Sequence, residues 1–207
     1  MHAIQWIVAH WVGVIELVAV GAVAVAVIMG ASAYGRYRAD AAALKFYAAD
    51  KLENKSDARL EALKKVAKDY SRTSAGRQAT MQLGDMLAER GDRDGAIEQF
   101  RLLAEGSRNQ PLFRVAALHR IADLQLAAGN SAEAAETFRK AAADPKNLTA
   151  LTSELLAASC LERAGDYAGA ALLYKRIIKD AGEGDRAVRE QSEERLIWLS
   201  ANGLIAG

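Results

Sequence analysis

Polar and apolar positions along this chain fall into two regimes. Residues 17–34 (LVAVGAVAVAVIMGASAY) carry no charge and are rich in Val and Ala all round, and Arg36 and Arg38 follow. Beyond that point apolar residues recur three and four apart between charges, the period of helices that bury one side. The pattern predicts helices over 40–52 and 58–70, with ENKSD as the turn and Ser56-Asp57 as a cap signal. Another amphipathic helix is predicted over 185–201, its apolar residues being Val188, Leu196, Trp198 and Leu199.

The stretch between repeats itself. LGDMLAERGDRDGAIEQF (83–100), IADLQLAAGNSAEAAETF (121–138) and LAASCLERAGDYAGAALLY (156–174) align on Gly91, Gly129 and Gly165, 38 and 36 residues apart. One residue after each glycine stands Asp92, Asn130 or Asp166; five after stands Ala96, Ala134 or Ala170; nine after stands Phe100, Phe138 or Tyr174. A period in the mid-thirties with this grammar predicts stacked helix pairs. Each glycine ends a first helix in the left-handed conformation, and the Asp or Asn caps the second. The alanine lets the two helices cross closely, and the aromatic fills the gap to the next pair. No pair buries its apolar face alone, so the pairs must stack. Residues 40–70 read as an earlier, degenerate pair in which Phe46, Leu63 and Val66 stand for Leu83, Phe100 and Leu103.

As a helix the uncharged run is about 27 Å long, close to the hydrocarbon thickness of a bilayer. Trp6 and Trp11 precede it, and Tyr34 and Tyr37 close it, as interfacial aromatics do. Glu16 is costly at the bilayer centre, so the span starts at residue 17, and residues 2–15 form an interfacial lead-in or an extra turn or two of the same helix. Ala31-Ser32-Ala33 fits the small-x-small pattern of signal cleavage, but residues 1–16 lack the Lys or Arg of an export signal. The reading is a retained anchor, with cleavage after Ala33 as the alternative. Ala22, Ala26 and Gly30 make a stripe of small residues that suits close packing of a second membrane helix. Arg36 and Arg38 alone would put the following domain in the cytoplasm.

Composition sharpens the fold class and narrows the chemistry. Good helix formers dominate after the span, aromatics are only 6%, and there are two prolines, so the chain is expected to be all-α. The net charge of +1 gives no reason to expect nucleic-acid binding. The lone Cys160 cannot form an intrachain disulfide and reads as a packed small hydrophobe. His2, His10 and His119 are the only histidines, and none has a cysteine at metal-ligand spacing. No glycine-rich phosphate loop follows a strand. We therefore expect no enzyme, no cofactor and no metal.

Leu83-Gly84, Leu87, Gly91, Ala96 and Phe100 resemble the tetratricopeptide repeat pattern, and the other two copies resemble it less fully. The stretch KDYSRTSAGRQATMQLGDML (68–87) is similar to the junction in bacterial envelope proteins with such repeats, with Ser71 where those have proline. With its amino-terminal span and its Tyr/Arg-rich exit, the chain resembles the membrane-anchored ancillary Sec-translocon subunit family. That resemblance implies a cytoplasmic amino terminus and periplasmic repeats, against the charge rule. It implies an anchor region over 1–37 and a degenerate helix pair over 38–75. Three repeats follow over 76–184, with a capping helix and tail over 185–207.

In repeats of this type the first helices line a concave face. By analogy the inward residues are Gln78, Met81, Asp85 and Ala88; Ala116, His119, Asp123 and Leu126; and Thr152, Leu155, Ser159 and Glu162. Met81 and Asp85 stand where carboxylate-clamp repeats carry Lys and Asn, so an acidic chaperone tail is not the expected guest. An extended or helical segment with apolar side chains is. The expected function is a protein-interaction adaptor at the bacterial inner membrane, with translocon components, periplasmic chaperones or exported clients as partners. The alternatives are an accessory subunit of a larger membrane complex and a signal-cleaved soluble envelope-assembly protein.

Overall fold

The computed structural model describes residues 11–54 and 56–205, and within them it contains helices and turns and no strand. The helices are α1 (Trp11–Asp50), α2 (Asp57–Asp69), α3 (Ser74–Glu89), α4 (Arg93–Gly106) and α5 (Pro111–Ala127), followed by α6 (Ser131–Ala142), α7 (Ala150–Arg163), α8 (Tyr167–Asp180) and α9 (Arg186–Ala201). A 3-10 turn, Glu183–Asp185, leads into α9. Each helix packs on the next in sequence, and α1 also touches α3. This is a solenoid of four helix pairs, the end of α1 with α2, then α3/α4, α5/α6 and α7/α8, closed by α9. Residues 2–10 of the lead-in, with His2, Trp6 and His10, lie outside the described residues, and residues 11–15 are the first turn of α1.

The glycine grammar becomes three superimposable turns. Gly91, Gly129 and Gly165 have φ of +84°, +84° and +82°, a region that costs a Cβ-bearing residue about 1–2 kcal/mol. In each turn the glycine N–H and the next residue's N–H close back on the first helix. Asp92 N donates to Leu87 O, Asn130 N to Gln125 O and Asp166 N to Leu161 O, all at 2.9 Å, which satisfies carbonyls the helix end would orphan. Asp92 and Asp166 then cap α4 and α8 by accepting from Gly95 N and Gly169 N at 2.9 and 2.8 Å. Asn130 makes no such side-chain bond. Sequence reading missed a fourth copy of the turn. Gly203, 38 residues after Gly165, also has positive φ, and Leu204 N donates to Leu199 O at 3.0 Å. So α9 ends as a first helix does.

The core is a chain of clusters with the predicted residues at their centres. Ala96, Ala134 and Ala170 are fully buried, and Phe100, Phe138 and Tyr174 are at most 1% exposed. A Cβ on Gly84 would come within 2.6 Å of the Phe100 ring, so α3 and α4 cross over that position. Leu63 and Val66 are buried in the first pair with Phe46 packed against them. At the far end Val188, Leu196 and Leu199 of α9 cover Tyr174 and Ile177.

The uncharged apolar run and the first repeat helix are one element. Sequence reading separates residues 17–34 from the helix of 40–52, yet α1 runs through both without a break. The segment 35–39 (GRYRA) holds no proline, and a single glycine is tolerated inside a helix at a cost of about 1 kcal/mol. The uncharged part is exposed along its length, including Leu17, Val20, Ile28 and Met29. At its other end Ala42 and Ala49 are buried. Arg38 donates to Asp69 O and lies 5.3 Å over the Tyr70 ring, with Lys45 Nζ 5.1 Å from the same ring. One helix of the described residues is long and apolar enough to cross a membrane.

Candidate functional site

The first helices α3, α5 and α7 carry the residues expected to face a partner. Gln78, Asp123 and Thr152 are exposed, and Met81, Asp85, Ala88, Ala116, Leu126 and Ser159 are half-buried. Asp85 pairs with Arg120 across the α3–α5 boundary at 3.2 Å. Burial holds its carboxyl above the usual range, against the pull of Arg120. Ala22, Ala26 and Gly30 are exposed on α1, and nothing lies within 4 Å of a Cβ built on Gly30.

Three of the expected residues are used inside the solenoid instead. Leu155 is 7% exposed and belongs to the core with Ala158, Tyr174 and Ile177. Around it α7 packs against α6 on one side and α8 and α9 on the other. His119 Nε2 is 2.8 Å from Ser153 Oγ on α7, and its ring stands edge-on to Phe138 at 5.1 Å. Burial lowers its pKa, with Asp123 opposing, so the imidazole is neutral at pH 7. It therefore staples α5 to α7. Glu162 accepts from the Tyr174 hydroxyl at 2.5 Å and from Arg195 Nε at 3.1 Å, with a second bond from Arg195 Nη2. Burial pushes its carboxyl up, but these hydrogen bonds and the Arg195 charge outweigh it and hold the pKa low. Burial and the bond to Glu162 raise the Tyr174 phenol to about 12. Arg195 also stacks over Trp198 at 4.6 Å, so Glu162 ties α7 and α8 to α9.

Sequence reading missed the grooves between successive second helices, where the first helix is recessed. One lies between α2 and α4 (about 460 Å³), one between α4 and α6 (about 650 Å³) and one between α6 and α8 (about 260 Å³). Their rims come from residues that the helical period marks simply as outward and polar, and their floors from the edges of core residues such as Leu83, Leu103 and Ile121. Only the stacking brings those residues together. Among the described residues no three of His, Cys, Asp and Glu converge as a metal site would require. Cys160 is buried, which pushes its thiol up to about 11. The free part of the first helices presents exposed polar and half-buried apolar side chains side by side.

Comparison with known proteins agrees with this geometry. Residues 5–196 match the family model described as a tetratricopeptide repeat-like domain. The crystal structure of the Podospora anserina "putative kinesin light chain nearly identical TPR-like repeats" superposes with a TM-score of 0.53 at 18% identity. The match covers 81% of this chain and 86% of that one, and it establishes likeness of fold. No curated protein matches the sequence. With the matched model spanning nearly the whole helical stack, this chain belongs to the tetratricopeptide repeat-like domain family.

Proposed function

We propose that this protein is a single-pass inner-membrane adaptor whose residues 17–34 span the bilayer and whose repeats bind proteins on the periplasmic side. Translocon components, periplasmic chaperones or emerging exported segments are the partners. The single observation that carries this reading is the continuity of α1, exposed and apolar at one end and built into the repeat core at the other. A solenoid of this family is an interaction scaffold. Joining it rigidly to a lipid-spanning rod fixes its height and tilt over the membrane and raises its effective concentration for clients there. The helix continues through Ala31-Ser32-Ala33, which supports retention over cleavage.

The binding face on this reading is the part of the first helices left free, with Gln78, Asp123 and Thr152 exposed beside half-buried Met81 and Leu126. An extended or helical segment with apolar anchors fits it. The test is co-purification from detergent-solubilised membranes. The wild type should recover translocon or chaperone subunits, and Asp123→Lys with Thr152→Lys should lose them. Recovery of neither by the wild type would contradict the adaptor reading. Loss in Ala26→Ile, with the face intact, would instead assign the contact to the membrane helix and favour a fixed subunit of a larger complex.

A further inference from the structure

The three grooves between second helices share one architecture but not one charge. The α4/α6 groove mixes Arg101, Arg108 and Lys140 with Glu105, Glu133 and Glu136. The α6/α8 groove sets Arg139 and Arg176 beside Glu136 and Glu154. The α2/α4 groove is lined by Lys64, Lys68, Arg72 and Arg77 and by no acidic residue. Of these four, only Lys64 has a carboxylate within 4 Å among the described residues, exposed Glu61 at 3.7 Å. The walls are apolar: Ala67, Leu83 and Leu103, with Leu102 52% exposed. Ser107 also lines the groove; it is 1% exposed, and its Oγ has no hydrogen-bond partner. Arg77 Nε is buried and equally unpartnered. Two orphan polar atoms beside a basic rim in which Lys68, Arg72 and Arg77 have no carboxylate partner among the described residues, and an apolar wall, call for an anion that carries hydrocarbon.

The place of the groove says where that anion comes from. Ser71 and Arg72 on its edge directly follow Tyr70, which is held between Arg38 and Lys45 of α1. Arg38 lies four residues past Tyr34, about 6 Å along the helix axis, and Lys45 about 16 Å. The lower edge therefore lies at headgroup depth. Residues 36–45 and 61–77 together hold eight basic and three acidic side chains in a chain whose net charge is +1. The positive field is thus confined to the end nearest the bilayer.

We infer that the α2/α4 groove is a binding site for the phosphodiester headgroup of an anionic phospholipid, with Lys68, Arg72 and Arg77 meeting the phosphate and the leucines meeting the upper acyl chain. The inference rests on the membrane-anchored reading above. Bound lipid docks the first repeat onto the bilayer surface and fixes the tilt of the whole stack.

Native mass spectrometry of the full chain in detergent tests it, with short-chain phosphatidylglycerol, short-chain phosphatidylcholine and inorganic phosphate as separate probes. The wild type should retain one phosphatidylglycerol at concentrations where neither other probe is held. Lys68→Gln with Arg72→Gln, both exposed, should weaken that binding about thirtyfold. Ser107→Ala should weaken it about fivefold while raising the melting temperature, because it removes an orphaned hydroxyl. Equal retention of the two lipids, or a double variant that binds like wild type, would overturn the site. Phosphate held as tightly as phosphatidylglycerol would overturn the lipid as its ligand. Carbonate extraction of cell membranes separates the two readings. A chain that washes off yet still selects phosphatidylglycerol contradicts the anchor alone, and a resistant chain without selectivity contradicts the groove alone.

Discussion

Gly129→Ala isolates the backbone term on which every repeat turn depends. The residue sits at φ +84°, and a Cβ built there meets nothing within 4 Å. No steric clash contributes, so the whole effect is the left-handed penalty of about 1–2 kcal/mol. For a chain of this size that is a fall of about 2–8 °C in melting temperature. Two companions fix the cause. Gly129→Asn should lose less, because Asn tolerates the left-handed region. Gly106→Ala makes the same chemical change in α4, at a glycine without positive φ and with open space around it. It should be neutral or gain up to about 1 kcal/mol from helix propensity. The assay is circular dichroism at 222 nm, with heat and with urea, on the full chain in detergent. If Gly129→Ala melts with the wild type, or Gly129→Asn loses as much as Gly129→Ala, the glycine turns do not hold the repeats as described.

Three further outcomes follow from the internal network. Glu162 has a folded-state pKa below its ordinary value, so its contribution is complete above about pH 4.5 and drains as pH falls toward the folded value. Glu162→Gln should cost about 1–2 kcal/mol at pH 7 and flatten the acid limb of urea midpoint against pH; an unchanged limb would refute the assignment. His119 is also held low, and the unfolded chain takes up a proton below about pH 6.5 that the folded chain does not. Stability should therefore fall between pH 7 and 5, and His119→Asn should remove that slope. Cys160, buried with its thiol pushed up to about 11, should resist Ellman's reagent at pH 8 in the native chain and react once urea unfolds it; rapid native labelling would contradict its place in the core.

What the sequence made legible is local or periodic. The glycine at each turn, the alanine at each crossing and the aromatic nine residues on are set by contacts within one repeat. Their roles can be read before any stacking is known. The fourth turn at Gly203 escaped because it lacks the following Asp or Asn, although its spacing repeats. The different compositions of residues 17–34 and 40–52 hid their union in α1, because a change from uncharged to amphipathic pattern looks like a boundary while backbone propensity crosses it. Which residues of the expected partner face are tied into the solenoid is decided by distant residues. Arg195 reaches Glu162 from 33 positions away, and Ser153 reaches His119 from 34. The basic groove was invisible for the same reason, since Lys64 and Ser107 meet only after three helices stack.

Protease protection in spheroplasts tests most directly the proposal that a retained bilayer-spanning helix tethers the solenoid. With a carboxy-terminal tag on the full chain, added protease should remove the tag and the repeats and leave an amino-terminal fragment that ends near Arg36 and resists carbonate extraction. A tag that survives until the membrane is broken, or a chain recovered whole in the soluble fraction, would contradict it.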